Sequence, residues 1–183
     1  YRMYERYDEG RQLMTQHWPY GEMGMAMQNP YWIINRNMFN NDRDRYMANA
    51  GLKYKVFDWM DISGRVRIDN ANTRHTKKLY ASTDAKFAQS KGYYGDRKDV
   101  DKQLYADFLV NINKRFNDFD LTANVGASIQ DVSMDYVGAE GQLSMIPNFF
   151  TLHNVDLGAN NSRIKQDGWK EQTQSVFASA ELG

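Results

Sequence analysis

The chain has no cysteine, so neither a disulfide framework nor a thiolate metal site is available to it. It has no net charge either, with 23 basic residues set against 23 acidic ones. That balance leaves no footprint for nucleic acid and no general trap for acidic substrates. No stretch comes near the roughly 18 consecutive apolar residues of a membrane helix, which excludes an α-helical membrane protein. A β-barrel is untouched by that exclusion, because its strands show only alternation. Histidine is sparse: His17, His75 and His153 stand far apart and lack the close spacings of a metal-binding helix or hairpin. Ser162-Arg163-Ile164-Lys165 matches a Ser-x-x-Lys string but has no partners around it, and chance explains it better than catalysis. No enzymatic constellation is found.

What is present is alternation. Tyr46, Ala48, Ala50, Leu52, Tyr54 and Val56 fall on one side of a strand, and Arg45, Met47, Asn49, Gly51, Lys53 and Lys55 on the other. Ile62, Gly64, Val66 and Ile68 alternate in the same way with Asp61, Ser63, Arg65, Arg67 and Asp69. Leu104 to Asn113 repeats the pattern with Leu109 as the exception, and Phe119 to Gln130 repeats it with none. A last run places Val176, Ala178, Ala180 and Leu182 opposite Ser175, Phe177, Ser179 and Glu181.

Two aromatic turns, Phe57-Asp58-Trp59 and Phe116-Asn117-Asp118-Phe119, join these segments at one end. At the other end the sequence predicts long polar loops at 71–100 and 131–172. Residues 1–43 read as a loop-rich segment, with a short strand near Tyr31 to Asn35, and the barrel strands occupy 44–183. In this reading the 1–43 segment and both long loops lie outside the cell.

Segments of about ten residues exceed the five or six usual in soluble sheets and match the 9–11 residues of a tilted membrane strand. Tyr54, Phe57, Trp59, Phe116 and Phe119 gather at the short-turn end, where aromatic rings suit a membrane boundary. Arg65, Arg67 and Asp69 on one strand suit a wet lumen and are read as lumen-facing, most simply as a wall of balanced charge. The pattern therefore predicts an all-β fold, an antiparallel transmembrane β-barrel segment of about five strands. Five strands cannot close such a barrel, since membrane barrels begin at about eight. Neither end reads as a natural terminus, so the chain is expected to be part of a longer polypeptide. A passive porin without a plug and a soluble β-sandwich binding module stay open as alternatives.

Several blocks resemble a known family. Asn29-Pro30-Tyr31-Trp32, Asn35-Arg36-Asn37, Arg43-Asp44-Arg45, Gly51-Leu52-Lys53-Tyr54 and Asp58-Trp59 are similar to the barrel of SusC/RagA-type TonB-dependent transporters of Bacteroidetes. Tyr105-Ala106-Asp107-Phe108-Leu109, Asn111-Ile112-Asn113-Lys114 and Ile146-Pro147-Asn148-Phe149-Phe150 continue the resemblance in order, over about residues 29–183. It implies a bacterial outer-membrane location and a 22-stranded barrel with an N-terminal plug. It further implies a SusD-like surface lipoprotein as partner, oligosaccharide or peptide as cargo, and energy delivered by TonB. The plug, the TonB-contacting part and the remaining strands lie outside this sequence. Outer-membrane lipid would surround the wall, and no nucleic acid is implied.

Aromatic rings in outer loops can stack on cargo. Tyr93, Tyr94, Phe149, Phe150 and Trp169 are the candidates for contact with substrate or lipoprotein, against the plainer reading that they pack the loops together. Asp96, Asp99 and Asp101 could offer oxygen ligands to Ca²⁺, although they lack the glycine and terminal glutamate of an EF-hand loop. Solvated loop charge is the simpler reading of these three, and no cofactor is expected.

Overall fold

A computed structural model describes residues 3–20 and 27–183. The remaining positions of the expected N-terminal loop, 1–2 and 21–26 with Met23 and Met25 among them, lie outside the described residues. With 69% strand and 6% helix, the chain is all-β. Its main sheet has five strands in sequential order: β3 (Asn37–Phe57), β4 (Met60–Tyr80), β5 (Gly92–Phe116), β6 (Phe119–Gln142) and β7 (Arg163–Leu182). The sheet is antiparallel and does not close on itself. Before it come a small hairpin, β1 (Glu5–Asp8) and β2 (Leu13–Gln16), and a seven-residue helix α1 (Pro30–Arg36).

The strands are 20 to 25 residues long, about twice what alternation in the sequence marks out. Connections narrow accordingly, to 81–91 in place of 71–100 and to 143–162 in place of 131–172. The expected strand near Tyr31 to Asn35 is instead helix. Asn29 caps it by accepting a hydrogen bond from the Tyr31 amide at 2.9 Å, and Pro30 occupies its first turn, where no amide hydrogen is needed.

Contacts divide the chain into two units. One comprises 44–72, 100–135 and 168–183. It has almost no interior: Leu52 is 76% exposed and Val176 83%, and Tyr54, Val66, Phe108, Val125 and Leu182 are all exposed on the apolar set of their strands. Register holds along its last pair, where the Asp120 and Gly183 backbones exchange hydrogen bonds at 2.9 and 3.0 Å. Asn124 also reaches Ser179 there, at 3.3 Å.

The other unit comprises 1–43, 73–99 and 136–167, and it does have a packed interior. Trp32 is fully buried and donates its indole N–H to the Thr83 hydroxyl at 3.0 Å. Arg36 forms an ion pair with Glu5 at 2.6 Å and stacks on the Tyr80 ring. Asn154, buried in the 143–162 connection, accepts from the Met145 and Ile146 amides and donates to the Ile146 and Phe149 carbonyls. Asn148, at φ 59°, accepts from the Ala81 amide at 2.7 Å and so ties the two connections together. Polar backbone in these loops is thus satisfied internally, and they are built structures.

Candidate functional site

In the 44–72, 100–135, 168–183 unit the polar set of each strand forms a charged wall. Arg45 reaches Asp69 at 2.6 Å, and Arg67 reaches the same carboxylate at 3.9 Å. Arg65 meets Asp107 at 3.0 Å, Lys53 meets Asp61 at 3.2 Å, and Asn111 donates to Asp61 at 2.7 Å. Antiparallel pairing sets these side chains directly or diagonally opposite, within reach of one another. Arg65, Arg67 and Asp69 thus lie on one face, in a cross-strand ladder in which each of these cations reaches a carboxylate. Phe177, which with Trp169 is one of two aromatic residues among the polar positions of β7, lies over Gly126. A Cβ at Gly126 would stand 2.5 Å from its ring, so the glycine makes room for it.

The short-turn end of this unit carries the expected aromatics. Phe57 and Trp59 stack with centroids 5.2 Å apart, and the Lys114 ammonium lies 4.7 Å over Trp59 and 5.0 Å over Phe116. Tyr54, Phe57, Phe116 and Phe119 are exposed around them.

The candidate contact aromatics separate. Tyr93 and Tyr94 are buried at 7% and 5% exposure, and burial pushes the Tyr93 hydroxyl up to about 12. Phe150 packs on Tyr80 and Tyr94, with centroids 4.9 and 6.1 Å away. These three rings hold the unit together. Phe149 is exposed. Trp169 is exposed too, but on β7 and not in a loop.

The candidate calcium ligands do not converge. Asp96 is held by Arg74, whose Nε and Nη2 donate to its two carboxylate oxygens at 3.0 and 2.7 Å. That hydrogen-bonded guanidinium keeps the Asp96 carboxyl below the usual carboxylate range. Asp99 accepts from Arg97 at 2.5 and 2.7 Å and faces His75 at 3.3 Å. Asp96 belongs to the opposite alternating set from Asp99 and Asp101. Among the described residues no group of three or more acidic or histidine side chains is assembled to hold a metal.

A cavity of about 350 Å³ opens on the 1–43, 73–99, 136–167 unit, where all five long strands contribute to its lining. Its charged members are Lys77, Asp96, Arg97, Glu140, Arg163 and Lys165, with the His75 imidazole beside them. All seven fall in the loops expected at 71–100 and 131–172, and nothing in their spacing gathers them. Only the successive pairing of strands from β4 to β7 does so.

No family model matches the chain, and no curated protein does. Solved structures do. "Structure of the RagAB peptide transporter" superposes with a TM-score of 0.75 at 15% identity, over 98% of this chain and 19% of that one. The fold is shared. "Structure of the RagAB peptide importer in the 'closed-closed' state" matches with a TM-score of 0.70 at 16% identity, over 86% of this chain and 17% of that one. The 'open-open' state of the same importer gives 0.69 at 15%, over 98% and 18%. The chain therefore spans about a fifth of the length of the transporter chains it matches. None of the three is described as an enzyme.

Proposed function

We propose that these residues are wall and loops of a TonB-dependent outer-membrane transporter that imports oligopeptides or oligosaccharides together with a SusD-like surface lipoprotein. The observation that carries this reading is the exposed apolar face from Leu52 to Val176, opposite a face of ion-paired charge. A water-soluble sheet would cover the first, whereas a bilayer covers it at no cost. From Tyr46 to Val56 a strand rises about 34 Å, or about 24 Å along the normal at 45° tilt, close to the ~25 Å apolar band of an outer-membrane barrel. Arg65, Arg67 and Asp69 then face the lumen, and the aromatics around Trp59 mark the periplasmic rim. The connections 81–91 and 143–162 lie at the outer surface. Peptide is the preferred cargo, because the structures that share the fold are named as peptide transporters.

In such a transporter, cargo binds outside under the lipoprotein, TonB rearranges the plug, and cargo passes along the lumen. This stretch supplies wall and rim, while motive force acts elsewhere in the protein. Single cysteines in the full-length transporter test the reading, since this stretch has none of its own. At Leu52, Phe108 and Val125 they should resist a water-soluble maleimide in outer-membrane vesicles and react once detergent strips the lipid. At Asn49 and Asn124 they should react in both. Equal labelling on both sets would reject the membrane wall.

A further inference from the structure

The cavity of the 1–43, 73–99, 136–167 unit is lined by more cations than carboxylates. There, Arg97 is committed to Asp99 through two hydrogen bonds and lies 4.3 Å over the Tyr136 ring. Asp96 is committed to Arg74. What remains is Lys77, Arg163 and Lys165 against the single carboxylate of Glu140. Both lysine ammoniums stand 3.9 Å from Glu140, one at each oxygen. That is too far for a hydrogen bond, and although the Lys77 ammonium also lies 4.5 Å over the Tyr93 ring, both lysines keep N–H donors for another acceptor. Arg163 forms no ion pair among the described residues, although its charge is felt at the Tyr93 hydroxyl. The floor between β5 and β6 is lowered at Gly138, where a Cβ would stand 2.7 Å from Arg97 Cβ and 2.8 Å from the Asp96 carbonyl.

We propose that Lys77, Arg163 and Lys165 form a binding site for the carboxylates of an anionic oligopeptide, with Glu140 as a resident carboxylate that spaces the two lysines and competes for them. The site rests on the transporter reading above and adds a cargo preference to it. Two lysines held loosely by one carboxylate, and an arginine with no ion pair among the described residues, offer N–H donors to a second carboxylate in charge-assisted hydrogen bonds, the strong kind. Strand phase favours the same assignment: Lys77, Arg163 and Lys165 are in the alternating set of Arg65 and Glu181, the set that faces the lumen. Cargo side chains descending the lumen would meet these donors.

The test uses the full-length transporter with its lipoprotein in nanodiscs and two labelled peptides that differ only in Glu against Gln. Arg163→Gln with Lys165→Gln should weaken the Glu peptide by about tenfold or more, the scale of one lost hydrogen bond to a charged group. Binding of the Gln peptide should change by less than about twofold on the same scale. Glu140→Gln should strengthen the Glu peptide several-fold, a gain that structural damage would not produce. Equal effects on both peptides, or no gain from Glu140→Gln, would overturn the site. Binding of an oligogalacturonate in place of the Glu peptide would overturn the peptide assignment. Failure of the wild-type complex to bind either peptide would count against the transporter reading itself, whereas normal binding of both without charge discrimination would remove this proposal alone.

Discussion

Arginine at position 125 of β6 provides a sharp test of which face meets lipid. Val125 lies six positions beyond Phe119, the first strand residue after the short turn. That is about 20 Å along the strand and about 14 Å along the normal at 45° tilt, near the middle of a ~25 Å apolar band. A guanidinium on the lipid side at that depth costs about 2–4 kcal/mol. Asn124, one residue earlier, points to the other face and gives up only its 3.3 Å hydrogen bond to Ser179 when replaced. That loss is about 0.5–1.5 kcal/mol. The difference between Val125→Arg and Asn124→Arg should therefore approach about 2 kcal/mol, roughly a 30-fold change in the folding equilibrium. Reversible urea unfolding of the full-length barrel in phospholipid vesicles, followed by tryptophan fluorescence, measures both. Equal losses, or a larger loss at Asn124, would refute the assignment of faces.

Gly126→Ala should cost about 1–3 kcal/mol by the same assay, because its Cβ would meet the Phe177 ring at 2.5 Å. Combined with Phe177→Ala, the cost should fall below the sum of the two single changes, and strict additivity would deny the contact. Asn154→Ala removes four hydrogen bonds at a buried site and should open the 143–162 connection to protease with a local loss of about 2–4 kcal/mol. Unchanged cleavage would show that this connection is held by other contacts. The pair of Asp96 with Arg74 makes its region acid-sensitive. Since the folded carboxyl titrates lower than the unfolded one, its contribution is complete above the ordinary carboxylate value near ~3.9 and fades as pH falls through the depressed one. Amide exchange at 92–100 should accelerate across that window in the wild type and change less in Arg74→Gln.

Alternation was legible wherever one strand face meets an apolar phase and the other meets water. Phe119 to Gln130 shows it without exception, and the structure places all twelve residues on β6. It vanished beyond Asn70, where Asn72, Arg74 and Lys78 alternate with Thr73, His75 and Lys77. Both sets are polar there. Ladder hydrogen bonds persist while the hydropathy signal does not, so 71–80 and 92–100 read as loop. The stretch expected as a short strand near Tyr31 to Asn35 is a helix whose start is marked by Asn29, which caps it, and Pro30 in its first turn, and which buries Trp32. The cavity could not be read at all, because Lys77, Glu140 and Lys165 meet only through pairing of distant strands.

The most direct measurement of the membrane wall is a nitroxide scan along β6, residues 119–142, in the full-length transporter in lipid bilayers. Oxygen accessibility should peak at every second position from Phe119 to Ile129, the odd-numbered set, and lose that periodicity from Asp131 onward, where a water-soluble relaxer should dominate. A profile in which the odd and even positions between 119 and 129 see oxygen equally, or in which water reaches both, would contradict a bilayer-spanning strand.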